Sequence, residues 1–587
     1  MLQIIISILI YLIILIPVGI YMYHIAAEKH TFADPVFDRV DNLIYKVGHI
    51  KKDKGMDYKE YIIALILTNL AMILVGYIIL RIQFLPIFNP NSTGSMPADL
   101  AFNTIISFIT NTNLQHYAGE SGLSYLSQMM VITFLMFTSA ASGYAACVAF
   151  CRGITGHKTK DLGNFYVDLT RITTRILIPF CIVGTLLLVS QGVPQNLGGN
   201  IVVDTLEGAK QVIATGPVAT LEIIKHLGTN GGGFLGANSS TPIENPTIIS
   251  NLIEMYSMML LPGASVVVFG LMAKENRDLQ LASTKEGFDM FSKEKSITAR
   301  IYGREGRSVF LAMLILFIIG LLICYFSEMA GNPNLAEAGL SQAMGSMEGK
   351  EVRFGVAQSA LFTTVTTSFT TGTVNNMHDT LTPLGGMVPM LHMMLNVVFG
   401  GKGVGLMNMI MYVILAVFIC GLMVGRTPEY LGKKVEGREM KLTAICIIIH
   451  PLLILAFTAI AVSCAAGLAG ITNPGFHGLS QIIYEFASSA ANNGSGFEGL
   501  ADNSLFWNIT TGLAMFFGRY LSIILQLCIA GSLLKKSFVN ESKGTLKTST
   551  FSFALILVFI VYIFAALTFF PALALGPIAE HLTLFAA

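Results

Sequence analysis

Charged side chains are scarce in this sequence. Asp, Glu, Lys and Arg make up 12% of its 587 residues, about half the share of a water-soluble chain. With 53% hydrophobic residues and a mean hydropathy of +0.67, the shortage excludes an ordinary soluble domain and indicates an all-α polytopic membrane protein. CxxC spacing is missing too. The eight cysteines (147, 151, 181, 324, 420, 446, 464, 528) lie within or at the ends of apolar runs, which argues against disulfides and zinc and for small buried hydrophobes. No GxxxxGK[ST] loop and no DKTGT phosphorylation motif occur, so the chain cannot hydrolyse ATP by itself. Nor is there a clustered set of acid, base and nucleophile; His378 beside Asp379 resembles a catalytic pair only superficially. The first 24 residues lack a basic leader and a small-residue cleavage site, and read as a retained first span.

What the chain does have is a series of apolar runs. About 20 apolar residues cross a bilayer as a helix. Runs of that order lie at Leu2–His24, Tyr61–Leu80, Tyr125–Phe150, Ile176–Ser190, Leu252–Ala273, Val309–Phe326, Met387–Val424, Leu442–Leu468, Trp507–Leu534 and Phe551–Leu575. Ten transmembrane helices are therefore expected, the seventh interrupted by "GGKGVG". Lysine and arginine alternate between the connections. Segments 24–60, 151–175, 274–307, 426–441 and 535–547 hold 29 of the 36, whereas 82–124, 191–251, 327–387 and 469–506 hold 4. The positive-inside rule makes the first set cytoplasmic and places the N-terminus outside. The cytoplasmic basic segment 274–307 is the expected dock for a partner.

The four outward connections share a pattern: a short apolar stretch of about ten residues, too short to span, then a polar cluster. The clusters read Asn111-Thr112-Asn113, Thr229-Asn230-Gly231, Thr370-Thr371-Gly372 and Asn492-Asn493-Gly494, and their last residues are 118, 141 and 122 positions apart. This is a fourfold internal repeat of helix, pore loop and helix around a central pore, with one extra helix at each end. The expected division is 1–60 (first helix and cytoplasmic loop), 61–150, 171–273, 308–425 and 441–535 (four pore repeats, the third with a broken second helix) and 551–587 (last helix). Non-helical backbone survives at membrane depth only in protein or beside water. Four re-entrant loops can aim carbonyl oxygens inward and replace the hydration shell of a cation, with threonine hydroxyls adding ligands. Glycine allows the left-handed angles that align successive carbonyls, and Asn113 stands where the other three loops have glycine, asparagine being the next most tolerant. Each half-helix directs its partly negative C-terminus at the ion. Neutral oxygens suit a large monovalent cation, potassium above all, whereas calcium sites use carboxylates.

These features resemble a known family. "TNTNLQHYAGESGLSY", "GTNGGGFLGANSSTPIENP", "MHDTLTPLGGMVPM" with "VVFGGKGVGL", and "SAANNGSGFEGL" are similar to the potassium-binding subunits (KdpA) of the Kdp potassium-transporting ATPases, in the superfamily of potassium transporters. The likeness covers essentially the whole chain. It implies potassium selection at the outer mouth by Asn111, Thr112, Asn113 and Gln115, by Thr229, Asn230, Gly231 and Gly232, and by Thr370, Thr371, Gly372, Asn492, Asn493 and Gly494. Thr371 departs from the small residue, sometimes cysteine, usual in the family. Also implied are a P-type ATPase subunit (KdpB-like) that alone uses ATP, a single-span subunit (KdpC-like), often a tiny KdpF-like peptide, and an intramembrane tunnel from this chain to the ATPase subunit in a prokaryotic plasma membrane. Potassium is the transported ion; no organic cofactor and no nucleic acid are expected, and membrane lipid surrounds the spans.

Gly400, Gly401, Lys402, Gly403 and Gly405 should unwind the seventh span beneath the third loop. Lys402, costly at that depth, is expected to plug the cytoplasmic exit; a passive kink is the alternative. Arg519, the other intramembrane charge, pairs with a carboxylate or carbonyl near the pore wall or forms a structural salt bridge. Glu244, Asp379 and Glu498 flank three clusters and either attract cations or cap turns. His392 and His450 read as hydrogen-bonded core residues. The competing reading is a stand-alone Trk/Ktr-type channel or transporter, which potassium flux through this chain alone would favour.

Overall fold

The computed structural model describes residues 1–282, 297–423, 425–539 and 546–585. Residues 283–296 of the basic segment 274–307, residue 424, residues 540–545 of segment 535–547, and residues 586 and 587 lie outside the described residues. Among the described residues ten helices are long and apolar enough to cross a membrane, and they fall on the ten apolar runs. In chain order the elements that frame the site are α1 (Leu2–Ala26), α2 (Asp34–Val47), α3 (Tyr58–Ile82), α4 (Ala98–Ile109), α5 (Tyr125–Thr155), α6 (Phe165–Ser190), α7 (Val218–Leu227), α8 (Ile248–Ala282), α9 (Arg304–Ala330), α10 (Gly355–Ser368), α11 (Pro383–Leu395), α12 (Val404–Met423), α13 (Gly437–Val462), α14 (Phe476–Ala491), α15 (Leu505–Leu534) and α16 (Phe551–Leu573).

Capping side chains start several spans where polar sequence meets an apolar run. Asp57 accepts the Lys59 and Glu60 amides at the head of α3, with Glu60 returning the contact. Ser504 and Thr550 do the same for α15 and α16; such caps are worth about 1 kcal/mol. Burial sorts the spans. The apolar window of α3 is 22% buried within the chain and that of α8 83%, so α3 presents its leucines and isoleucines outward to lipid while α8 belongs to the interior. On the basic side, the buried Arg175 of α6 gathers Asp34, Asp38 and Asp41 of α2, which pins that amphipathic helix to the bundle.

The four half-helices α4, α7, α10 and α14 sit inside the ring of spans, and nearly every residue of each is buried. Polar side chains there must find local partners; Thr364 and Thr367 of α10, for example, donate to carbonyls one turn back. The seventh run is divided as expected. α11 ends at Leu395, Asn396 takes a left-handed conformation, and the helix resumes at Val404. Gly405 is thus helical, which corrects its assignment to the unwound loop. A side chain there would strike the Gly400 backbone, so this glycine is needed for close approach.

Candidate functional site

Each half-helix ends at the same place in its repeat and in the same way. The first residue of every cluster is left-handed although none is glycine: Asn111 (φ 61°), Thr229 (52°), Thr370 (48°) and Asn492 (56°). The amide of the second residue then reaches back five positions: Thr112 to the Ser107 carbonyl (2.9 Å), Asn230 to Lys225 (2.7 Å), Thr371 to Thr366 (2.8 Å) and Asn493 to Ser488 (2.9 Å). The third residue is left-handed again at Asn113 (58°), Gly372 (96°) and Gly494 (105°). Left-handed residues thus open all four clusters and close three of them.

Gly231 departs from that expectation. It is not left-handed, and its amide donates across to the Thr112 carbonyl of the neighbouring loop at 3.2 Å. Glycine is required there for space instead: a Cβ would lie 2.6 Å from the Thr112 oxygen, 2.7 Å from Gly494 Cα and 2.9 Å from the Asn493 oxygen. A Cβ on Gly372 would lie 2.1 Å from the Asn493 oxygen and 2.8 Å from Gly231 Cα. All four loops therefore converge on one point where backbone oxygens crowd against backbone. Gly232 leaves room for Gln115, whose amide donates to the Gly233 carbonyl at 3.0 Å.

Side chains of the clusters hold the loops to one another. Asn111 Nδ2 donates to the Gly228 and Thr229 carbonyls (3.1 and 2.8 Å), Asn492 Nδ2 to Thr112 Oγ1 (3.0 Å), and Asn493 Nδ2 to the Thr366 carbonyl (3.0 Å). Several threonine hydroxyls expected to face an ion are engaged in this scaffold: Thr229 Oγ1 donates to Gly228 O and Thr370 Oγ1 to Asn396 Oδ1.

Beneath the convergence runs the broken span. A Cβ on Gly401 would lie 2.3 Å from Thr229 Oγ1 and 2.8 Å from the Phe369 carbonyl, so this backbone passes directly under the second and third loops. Phe399 stacks on Phe369 with centroids 4.8 Å apart. Lys402, buried and left-handed (φ 55°), donates Nζ to the Asn492 carbonyl at 2.7 Å. Arg519 approaches from α15; both it and Lys402 crowd Gly143. Its guanidinium reaches the Ser139 carbonyl at 3.5 Å, and no carboxylate pairs with it among the described residues, which settles for a carbonyl over a salt bridge.

The flanking acids hold structure. Glu498 accepts the His378 and Asp379 amides (2.9 and 3.2 Å), and Glu244 accepts that of Leu235 (2.8 Å). Burial pushes both carboxyls up to about 8, which suits turn-holding groups rather than a charged vestibule. Asp379 bonds His477 and Gln481, while His378 turns to Tyr484, so the two neighbours form no catalytic pair. His392 bonds Ser368 and His450 is buried, both in the core.

Two contributors escaped sequence reasoning. Asn396, at the break in the seventh run, ties Thr370 of the third loop to the Ala491 carbonyl before the fourth; an Asn inside an apolar run, four residues before "GGKGVG", was the available signal. His116, next to Gln115, lies between Glu485 (3.3 Å) and Asp502 (3.8 Å) and 2.7 Å from Asn508 Oδ1. Burial alone would lower its pKa, but the charge of Asp502 and the bond to Glu485 raise it to about 9.

A family model described as Potassium-transporting ATPase A subunit (KdpA) matches residues 5–582. A potassium-transporting ATPase potassium-binding subunit of Clostridium acetobutylicum is 55% identical over 583 residues, 99% of this chain and 100% of that protein. One of the same description from Staphylococcus haemolyticus is 51% identical over 582 residues, 99% and 100% of the two chains. The solved potassium transporter TrkH of Vibrio parahaemolyticus aligns over 89% of this chain and 96% of its own at 14% identity, with a TM-score of 0.49.

Proposed function

The chain belongs to the potassium-transporting ATPase A subunit family, and from that premise we propose that its four converging loops are the filter that selects potassium for an ATP-driven, high-affinity uptake complex. It is the potassium-binding, non-hydrolytic subunit of that ATPase, and potassium is its transported ion. Family membership favours this reading over the stand-alone Trk/Ktr-type one.

The observation that carries the filter is the repeated backbone: four left-handed entries and four five-residue reach-backs bring unlike sequences to one axis. A dehydrated cation placed there meets carbonyl dipoles and four half-helix C-termini, all of the right sign. The Lys402 ammonium on the Asn492 carbonyl supports reading the broken span as a plug, whose positive charge would repel a cation leaking inward. Potassium then leaves sideways, through an intramembrane tunnel, toward a P-type ATPase subunit resembling KdpB. A single-span KdpC-like subunit and a small KdpF-like peptide complete the assembly in a prokaryotic plasma membrane, with the N-terminus outside.

Gly231→Ser tests the filter. Its added atoms have no space, and uptake should weaken at least about tenfold, some 1.4 kcal/mol of binding, with discrimination against rubidium reduced. Unchanged growth at micromolar potassium and unchanged rubidium exclusion would refute the assignment. Lys402→Ala tests the plug separately, in vesicles without ATP. Passive potassium flux should rise, and flux at the wild-type level would leave Lys402 as a kink residue.

A further inference from the structure

Behind the second loop, sealed from solvent, lies a cluster the filter does not use. Glu222 and His226 sit one turn apart on α7 and face Glu254 of α8; all three are fully buried, and one ligating atom from each lies within 4.8 Å of the others. The His226 Nδ1 position is 2.7 Å from the Glu222 carbonyl oxygen, which can only accept, so Nδ1 carries the proton and Nε2 presents a lone pair. That lone pair faces a Glu254 carboxylate oxygen at 3.5 Å. Two acceptors meet, too far apart for a hydrogen bond. Neither Glu254 oxygen, nor His226 Nε2, nor Glu222 Oε2 has a hydrogen-bond partner.

A cation between them resolves the contact, and we propose that this cluster is a divalent transition-metal site, with Glu254, His226 Nε2 and Glu222 Oε2 as protein ligands. Two ligands at about 2.1 Å from one tetrahedral ion lie about 3.4 Å apart, the separation seen between His226 and Glu254. An imidazole whose other nitrogen donates to a backbone carbonyl has the arrangement usual for metal ligands. One nitrogen and two carboxylate oxygens suit a zinc-like ion better than potassium or magnesium. Charge agrees. The carboxyls of Glu222, Glu244 and Glu254 share one resident ammonium, Lys225, held 2.5 Å from Glu222 Oε1. The guanidinium of Arg353 is committed to the Asn245 and Ser240 carbonyls, with Glu351 at 3.5 Å. A divalent ion would supply two further positive charges beside these three side chains. An ion there would tie α7 to α8.

The test uses the intact detergent-purified complex, stripped with chelator, reloaded with Zn²⁺ and desalted. About one equivalent per chain is expected by elemental analysis, with a rise in melting temperature on loading; Co²⁺ should give visible bands of a tetrahedral nitrogen–oxygen site. His226→Gln and Glu254→Gln should each cut the retained metal at least about tenfold. Wild-type complex that keeps less than about a tenth of an equivalent, or Glu254→Gln that keeps as much as wild type, overturns the site. So does an infrared band of a protonated carboxyl that survives zinc loading and vanishes in Glu254→Gln, since a proton would then fill the gap. Because retained metal and melting are read without transport, failure here leaves the filter untouched.

Discussion

The second pore repeat and the other three reach the same backbone by different means. Five positions before the middle residue of each loop cluster, repeats one, three and four carry Ser107, Thr366 and Ser488. The Thr366 and Ser488 hydroxyls accept the amides of Gly372 and Gly494 at 2.9 Å, and Ser107 donates to the Leu114 carbonyl at 2.9 Å. Repeat two has Lys225 there, whose ammonium turns away to Glu222 and Asn238. With no hydroxyl to turn back to, the Gly231 amide goes to Thr112 of the next loop, and Gly231 alone of the four closing residues is not left-handed. Fourfold geometry is thus a property of the backbone, and each repeat supports it with whatever side chains its surroundings permit.

The sharpest way to break the comparison is Lys225→Ser, which gives repeat two the residue of repeats one and four. If the ionic support matters, the variant strips the buried Glu222 of its ammonium partner and should lose about 3–5 kcal/mol, seen as a large drop in the melting temperature of the metal-free complex. A loss under about 1 kcal/mol would mean that the hydroxyl and ionic supports are interchangeable, and the contrast between repeats would fall.

Repeat four has an ionic anchor as well, but at the rim. His477, at the head of α14, lies 3.0 Å from Asp379, beyond the third loop, and 2.9 Å from Glu580. Burial by itself would lower its pKa, yet the bonds to Asp379 and Glu580 raise it to about 9. A raised histidine pKa contributes stability fully below its ordinary value, about 6.5, and loses it as pH rises through about 9. Melting temperature should therefore fall across that interval in the wild type, and His477→Gln should flatten the fall. A parallel decline in both proteins would remove His477 from the account.

Much of this was legible in the sequence. Ten spans follow from hydropathy alone, and the four loops from Gly, Asn and Thr clusters in equivalent places. The broken span follows from four glycines around Lys402. Support from distant parts of the chain was not legible. Nothing in "VATLEIIKHL" marks Glu222 and Lys225 as buried; the fold packs them against Asn238, Ser239 and Glu254. Asn396 and His116 act through partners about 95 and 370 positions away, which no local pattern reports. Gly231 was found for the wrong reason, since local rules favour φ freedom while a neighbouring loop imposes the lack of space.

The smallest expected effect separates the hydroxyl-supported repeats from one another. Ser488→Ala leaves the Gly494 amide without its acceptor, at a cost of about 1–3 kcal/mol for a buried unpaired donor. Thr366→Val costs less, about 1 kcal/mol, because the Gly372 amide keeps the Thr366 carbonyl at 3.4 Å. Ser107→Ala unpairs no amide, since that of Asn113 already bonds the Ser107 carbonyl at 3.2 Å. Potassium affinity and rubidium discrimination should decline in the order Ser488→Ala, Thr366→Val, Ser107→Ala. Equal values for the three would show that the hydroxyls merely fill space, and that the half-helices hold the filter by packing alone.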